Sequence, residues 1–168
     1  LGAGVQSTTV LLLACEGELG KVDAAVFADT GWEPKAVYEH LTRLEAFSSV
    51  PVYRVAAGNI RDTARQKDFY DAPYFLRNQD GSDGMARRQC THQLKIRPIR
   101  WKLNELITEA GIAKGPGCVE SLMGISMDEV QRMKPSDVKW VTNAYPLIDR
   151  GGTRDDCHRY LADQGWSP

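Results

Sequence analysis

The protein has 168 residues, with 21 basic side chains, 22 acidic side chains and a formal charge of −1; 42% of its residues are hydrophobic and 26% are charged. A chain of this length buries most of the apolar surface that it would expose when unfolded, so a disordered or fibrous protein is excluded. The longest purely apolar run, residues 10–15, is far shorter than the roughly 20 residues that span a bilayer. We therefore expect a cytoplasmic protein with no membrane partner, and its near-neutral charge restricts any nucleic-acid contact to a local patch.

Segments typical of helices and strands alternate along the chain. In chain order they are a helix over residues 7–15, a strand over 22–28, a helix over 34–47, a strand over 50–55, a helix followed by a long loop over 58–88, a helix over 96–110, a strand over 122–125, a short helix over 127–133, an extended piece over 138–141 and a helix over 154–164. Apolar runs closed by turn residues are typical of buried parallel strands, and Pro51 favours the start or the edge of its strand. This order predicts a single α/β domain with a mainly parallel sheet over residues 1–168.

The four cysteines have no CxxC spacing, and a chain of this size does not need disulfides. We therefore expect the cysteines to serve as thiols or metal ligands and not as a disulfide framework.

The chain starts without Met on a glycine-rich turn and stops just after a predicted helix. We expect a fragment that lacks the start of a first strand and a C-terminal segment.

A glycine-rich turn precedes the first predicted helix. Its sequence is Gly2-Ala3-Gly4-Val5-Gln6-Ser7-Thr8. Small residues let backbone N–H groups approach an anion closely, and the helix behind them adds the positive end of its dipole. The pattern therefore predicts a phosphate-binding loop, with a tight strand-to-helix turn as the alternative.

A second turn, Asp29-Thr30-Gly31, closes the predicted strand over residues 22–28. Ligands of open α/β sheets bind outside the carboxyl ends of the strands, so this turn is expected on the same edge as residues 2–8 and is predicted to bind the same ligand. The alternative is a turn in which Asp29 caps the following helix.

Four segments, in order, resemble a known family. Ala3-Gly4-Val5-Gln6-Ser7 resembles the pyrophosphate loop of the PP-loop (adenine-nucleotide alpha-hydrolase-like) superfamily, and Asp29-Thr30-Gly31 resembles the Asp-Thr-Gly turn of its phosphoadenosine phosphosulfate (PAPS) reductase branch. Residues 90–99 are similar to that branch's Cys-Cys-x-x-Arg-Lys-Val-x-Pro-Leu segment, and residues 124–132 to its Gly-x-Arg-x-x-x-Ser-x-x-Arg stretch. The resemblance implies a three-layer sandwich around a mainly parallel, doubly wound sheet of the HUP/Rossmann-like type.

The chain also departs from the family pattern. Gln6 stands where the loop usually has Asp, Val5 where it often has Lys, and Thr91 where the second Cys is expected. The tail that carries the reductase's nucleophilic Cys is absent, as is the later Cys-x-x-Cys of members that hold an iron–sulfur cluster.

The resemblance implies an enzyme that binds an adenine nucleotide and Mg²⁺ and cleaves ATP to AMP and pyrophosphate to activate a substrate. The activated group would then be exchanged in a sulfur transfer, with DNA or tRNA and a sulfur donor protein as partners. Two alternatives stay open: reduction of PAPS by a cysteine thiol, and a non-catalytic nucleotide- or nucleic-acid-binding module.

Basic side chains are concentrated in a segment without acidic residues between Asp83 and Glu105. Arg88 in this segment is predicted to bind the nucleotide. The resemblance implies that Lys95, in the same segment, and Arg132, further along the chain, stabilise the charge that develops during catalysis. A solvated charged surface is the alternative for such a run.

Two cysteines are candidates for chemistry. Cys90 lies beside basic residues that favour its thiolate, which suits either a nucleophile or a metal ligand. Cys90 and Cys157 are hypothesised to hold a 4Fe–4S cluster together with thiolates from a missing C-terminal segment. The alternative for Cys90 is an inert, partly buried thiol.

Overall fold

A computed structural model describes residues 1–61, 75–77, 80–85 and 91–166. The elements, in chain order, are α1 (Val5–Cys15), β1 (Ala25–Asp29), α2 (Lys35–Phe47), β2 (Val52–Ala56), β3 (Phe75–Arg77), β4 (Asp83–Met85), a π-helical turn (His92–Ile96), α3 (Arg97–Glu109), β5 (Val119–Leu122), a 3-10 helix (Met127–Arg132), β6 (Val141–Ala144), α4 (Pro146–Asp149) and α5 (Arg154–Asp163). The mixture of helices and parallel strand pairs confirms the α/β class.

The strands form three pairs. β1 lies parallel to β2 in a register that sets Ala25 against Val52, and β5 lies parallel to β6 with Val119 against Val141. β3 and β4 form an antiparallel pair. The two parallel pairs bring the carboxyl ends of their strands to one end of each pair, which is where loops that bind ligands start in α/β proteins.

Helix α1 is buried around most of its circumference. Its residues Val10, Leu11 and Leu12 belong to one apolar cluster with Leu161 of α5 and with Trp166. A helix that is buried on most sides is stable only inside the protein, so α1 is held in place by what surrounds it and not by an amphipathic surface. Its N-terminus is therefore fixed by the core.

The N-terminal residues run beside β1. The backbone nitrogen of Leu1 donates a hydrogen bond to the carbonyl oxygen of Val26 (2.9 Å), and Ala3 forms a buried cluster with Phe27 of β1 and Leu41 of α2. Helix α3 contacts β1 and β2, and the π-helical turn contacts β1. The turn that enters α1 is thus placed next to β1 by apolar packing.

Several predicted elements are confirmed, and others are shifted or new. The strand expected over 122–125 is Val119–Leu122, because the chain leaves β5 in a tight turn at Gly124, where the nitrogen of Ile125 donates to the oxygen of Met123 (2.9 Å). The extended piece expected over 138–141 lies at Val141–Ala144, paired with β5. The sequence did not predict α4. It also did not predict β3 and β4, which lie within the segment expected to be a loop over 58–88.

Within the described ranges, the helices are too short or too polar to cross a membrane.

The α1–α5 contact gives a prediction about stability. Leu161 is fully buried in the cluster that holds α1. Leu161→Ala should lower the free energy of unfolding by about 2–5 kcal/mol, because a buried leucine leaves a cavity when it is truncated. Urea denaturation followed by circular dichroism measures the change. Ile112→Ala, at a residue that is 48% exposed, is the control and should cost no more than about 1 kcal/mol; equal losses in the two variants would contradict the assigned core.

Candidate functional site

The predicted phosphate loop leads directly into the N-terminus of α1. Gly4 is the N-cap residue, its N–H donates to the hydroxyl oxygen of Ser7 (3.1 Å), and that hydroxyl donates to the Gly4 carbonyl oxygen (3.0 Å). The first N–H groups of any helix lack partners within the helix, which is why a helix N-terminus attracts an anion. This arrangement suits a phosphate group.

Backbone strain accompanies the turn. Ala3 has a φ of 51°, the only positive value among the non-glycine residues that the structure describes, and it is buried. A left-handed conformation costs an L-residue about 1 kcal/mol, and it persists only where the surroundings enforce it. The packing of Ala3 against Phe27 and Leu41 supplies that enforcement.

A second chain segment lies against the first turn of α1. A Cβ atom added at Gly124 would stand 2.9 Å from both the nitrogen and the Cα of Ser7 and 3.1 Å from the carbonyl carbon of Gln6. Only glycine allows two backbones to approach this closely. The loop that follows β5 is therefore packed directly on the predicted phosphate loop, and Ser126 within it is fully buried.

A chain of polar contacts connects this loop to α1 and α5. The Gln6 amide donates through Nε2 to Oε2 of Glu129 (3.2 Å) and accepts through Oε1 from Nη1 of Arg154 (3.5 Å). Oε1 of Glu129 accepts from Nη1 of Arg132 (2.6 Å). Two arginines and one carboxylate thus meet at the N-terminus of α1, and Arg132 keeps 60% of its side chain exposed.

The Asp29 turn is fixed by its own hydrogen bonds. Oδ1 of Asp29 accepts from the backbone nitrogen of Gly31 (2.7 Å) and from the hydroxyl of Tyr38 (2.8 Å). The Thr30 hydroxyl donates to Oε1 of Glu33 (2.8 Å). Asp29 therefore stabilises the turn and holds Tyr38 of α2, but it does not cap that helix, whose N-cap residue is Pro34 and has no side-chain cap hydrogen bond.

Lys95 is placed at the Asp29 turn. Its Nζ lies 3.6 Å from Oε1 of Glu33, and half of the Lys95 side chain is exposed. The π-helical turn that carries Lys95 contacts β1. The structure therefore brings Lys95 to the same strand end as residues 29–31, as the sequence predicts.

The two halves of the site share β1. Residues 29–31 continue from its carboxyl end, and Ala3 packs against Phe27 within it. Helices α1 and α2 are also connected, since the Thr8 hydroxyl oxygen lies 2.9 Å from Nε2 of His40. Burial lowers the pKa of His40, and the nearby Arg43 adds to the effect, so the neutral ring is the form that packs here.

Thr8 and Gln6 do not present free polar groups on the loop. Thr8 is fully buried between α1 and α2, with its hydroxyl against His40. Gln6 is 7% exposed, and both ends of its amide contact protein groups. A ligand at this loop would therefore contact the backbone around Gly4 and Ser7 and not the side chains of Gln6 and Thr8.

The described cysteines are not at this site. Cys157 is 2% exposed within the apolar cluster around α1, and burial raises the pKa of its thiol. The thiol of Cys118 donates to the Trp140 carbonyl oxygen (3.5 Å), and Cys15 is at the opposite end of α1. An apolar, inaccessible thiol does not suit a cluster ligand or a nucleophile. Cys90 and Arg88 lie outside the described residues, so their roles stay predictions.

No group of three or more His, Cys, Asp or Glu side chains within residues 1–61 and 91–166 is arranged to hold a metal ion. This fits Mg²⁺ that is bound mainly by nucleotide phosphates and water, which needs only one or two carboxylates from the protein. Asp29 can supply one such carboxylate.

Sequence reasoning missed Arg154 and the contact between Gln6 and Glu129. Arg154 follows Thr153, whose hydroxyl accepts from the Asp156 nitrogen and caps α5. That capping pattern predicts where a helix begins. It carries no information about a side chain almost 150 positions earlier in the chain.

The approach of Gly124 to α1 generates a stability prediction. Gly124→Ala should lower the free energy of unfolding by about 1–3 kcal/mol, because the new methyl group would overlap backbone atoms that cannot turn aside. Gly115→Ala is the matched control: no described heavy atom lies within 4 Å of its added Cβ. Chemical denaturation of both variants decides the matter, and equal stabilities would contradict the close contact.

The chain matches no protein-family model, and no curated protein matches it significantly.

Proposed function

We propose that the chain is an adenine-nucleotide-binding enzyme of the PP-loop type that cleaves ATP to AMP and pyrophosphate to activate a substrate for sulfur transfer. The observation that carries this proposal is the strained, glycine-containing turn at the N-terminus of a buried helix, with two arginines at the same helix end. The proposal includes a three-layer, doubly wound sandwich, and the parallel pairing of β1 with β2 and of β5 with β6 is compatible with it.

Each group has a role that follows from its charge and position. The N–H groups at the start of α1 would hold the leaving pyrophosphate, and the exposed guanidinium of Arg132 would offset the charge that develops on it. Lys95, which is half exposed beside Glu33, would stabilise the α-phosphate from the Asp29 side. Mg²⁺, with Asp29 among its ligands, would neutralise phosphate charge when the nucleotide is bound.

The reaction can be written in two balanced steps. An oxygen of the acceptor attacks the α-phosphorus of ATP, the bond to the β-phosphate oxygen breaks, and pyrophosphate leaves. A sulfur nucleophile from a donor protein then displaces AMP from the activated acceptor. DNA or tRNA are the acceptors that we propose, on the basis of the basic segment around Lys95.

The positions of the described thiols favour this reaction over reduction of PAPS. A reductase needs an accessible thiol beside the nucleotide, whereas Cys15 is at the C-terminal end of α1, Cys118 lies beside Trp140 and Cys157 is buried in the apolar cluster. Cys90 lies outside the described residues. A 4Fe–4S cluster is likewise not supported at Cys157. The second candidate is a non-catalytic nucleotide-binding module, which is favoured by an uncharged Gln6 whose amide is engaged within the protein.

Substitution at Gly4 tests nucleotide binding at the loop. No described heavy atom lies within 4 Å of a Cβ added there, so Gly4→Val adds bulk where the anion would be and not where protein is. We expect ATP affinity to fall at least about tenfold, a loss of roughly 1.4 kcal/mol. Isothermal titration calorimetry measures it, with Gly115→Val as the control. Unchanged affinity in the Gly4 variant would mean that the loop is only a turn.

Product analysis separates the candidate activities. Incubation with ATP, Mg²⁺ and DNA or tRNA should release pyrophosphate and leave an adenylated acceptor, whereas PAPS with a thiol donor should release no sulfite. Arg132→Ala should lower the rate of pyrophosphate release by about 10²-fold or more, the usual cost of removing a group that stabilises transition-state charge. Sulfite without pyrophosphate would favour the reductase, and neither product would favour the binding module.

A further inference from the structure

The hydrogen-bonding groups of Gln6 are used by the protein, and their chemistry fixes the orientation of the amide. A guanidinium can only donate hydrogen bonds and a carboxylate can only accept them. With Arg154 on one side and Glu129 on the other, Oε1 of Gln6 must face Arg154 and Nε2 must face Glu129. An amide satisfies both neighbours, whereas a carboxylate at this position would satisfy only Arg154.

The 3-10 helix that carries Glu129 and Arg132 depends on few contacts. It has a non-helical residue in its middle, Glu129, with φ −121° and ψ 21°, and none of its residues is buried. Besides packing against α4, it is held by three hydrogen-bonding contacts to other described parts of the chain. They are the Met127 nitrogen on the Gly152 oxygen (2.9 Å), the Asp128 carboxylate on the Arg154 nitrogen (2.5 Å) and Glu129 on Gln6. The third anchor is the one that connects the helix to α1.

The position of Arg132 follows from that anchor. Its guanidinium donates to Oε1 of Glu129, and Oε2 of the same carboxylate accepts from Gln6. An exposed ion pair contributes little by itself, because both long side chains are free to move. A carboxylate that is also held by a nearly buried amide has one orientation, and the arginine attached to it is restricted accordingly.

We propose that Gln6 is a positioning residue: by bridging Arg154 and Glu129, it fixes the Met127–Arg132 helix, and with it the Arg132 guanidinium, beside the phosphate loop. The inference rests on the proposed function for its effect on nucleotide binding. The physical link between Gln6 and the 3-10 helix does not depend on any ligand. It also gives a reason for an uncharged residue in this loop, since an acid at position 6 would face Glu129.

A charge-matched pair of substitutions tests the bridge. In Gln6→Glu, two carboxylates would face each other, and the bond to Glu129 would be lost. In Gln6→Glu combined with Glu129→Gln, the amide introduced at position 129 can donate to the carboxylate introduced at position 6 and accept from Arg132. The hydrogen bond between positions 6 and 129 is then restored with donor and acceptor exchanged, and the contacts with Arg154 and Arg132 are kept. The net charge equals that of the wild type. Gln131→Glu, on an exposed residue of the same helix, is the matched control for added negative charge.

The first measurement is amide hydrogen exchange of the whole chain without ligand. Gln6→Glu should accelerate exchange in residues 127–133 by about three- to tenfold, because the helix loses its anchor on α1. The double variant should return within about twofold of the wild-type rate, and Gln131→Glu should not differ from wild type. Unchanged exchange in Gln6→Glu, or a double variant as fast as the single one, would overturn the proposal.

The second measurement is the affinity for pyrophosphate and for AMP, determined separately by calorimetry. Gln6→Glu should weaken pyrophosphate binding about tenfold and AMP binding by less than about twofold, with recovery in the double variant. Weaker pyrophosphate binding with unchanged hydrogen exchange would show that Gln6 contacts the ligand itself, which also overturns the proposal. A wild-type protein that binds neither compound would refute the proposed function, and hydrogen exchange would still decide whether the bridge exists.

Discussion

The burial of α1 on nearly all sides is the constraint on which the rest of the site depends. Residues 10–12 pack into the cluster formed with Leu161 and Trp166, so the helix cannot slide or rotate without exposing apolar surface. Each leucine in such a position contributes about 2–3 kcal/mol through burial. The position of the helix N-terminus is therefore decided by the core, although the turn that uses it is at the surface.

The core also explains how a strained and close-packed turn persists. Ala3 adopts a positive φ because its methyl group packs against Phe27 and Leu41, and Gly124 approaches Ser7 because it has no side chain. Together the two contacts hold the first turn of α1 in one position without a ligand. The proposed anion site would therefore need little reorganisation when an anion binds.

The polar residues around this turn divide into two kinds. Asp29, Thr30 and Gln6 make hydrogen bonds within the protein that fix backbone or neighbouring side chains. Lys95 and Arg132 are at least half exposed and retain charge at the surface. In the proposed function, the first group would build the geometry and the second would meet the ligand, which is the arrangement that preorganised electrostatic catalysis requires.

The sequence by itself determined the local elements and the two turns at which we propose that a ligand binds. Apolar periodicity located α1, α2, α3 and α5, the apolar run before Asp29 located β1, and the small residues at positions 2–4 marked the turn before α1. These features are encoded by neighbours in the chain, because helix capping, strand burial and turn geometry each depend on a few consecutive residues.

Only the tertiary structure decided which distant groups meet. The register of β5 with β6 moved the strand from 122–125 to Val119–Leu122, since pairing with residues 141–144 outweighed the local apolar run. The sequence made Thr8 a candidate for phosphate binding and Cys157 a candidate cluster ligand. The structure buries both, Thr8 against His40 of α2 and Cys157 in the apolar cluster around α1. The contact of Gln6 with Glu129 and Arg154 joins positions 6, 129 and 154. Such a contact arises from packing of whole elements, and a single sequence contains no local signal for it.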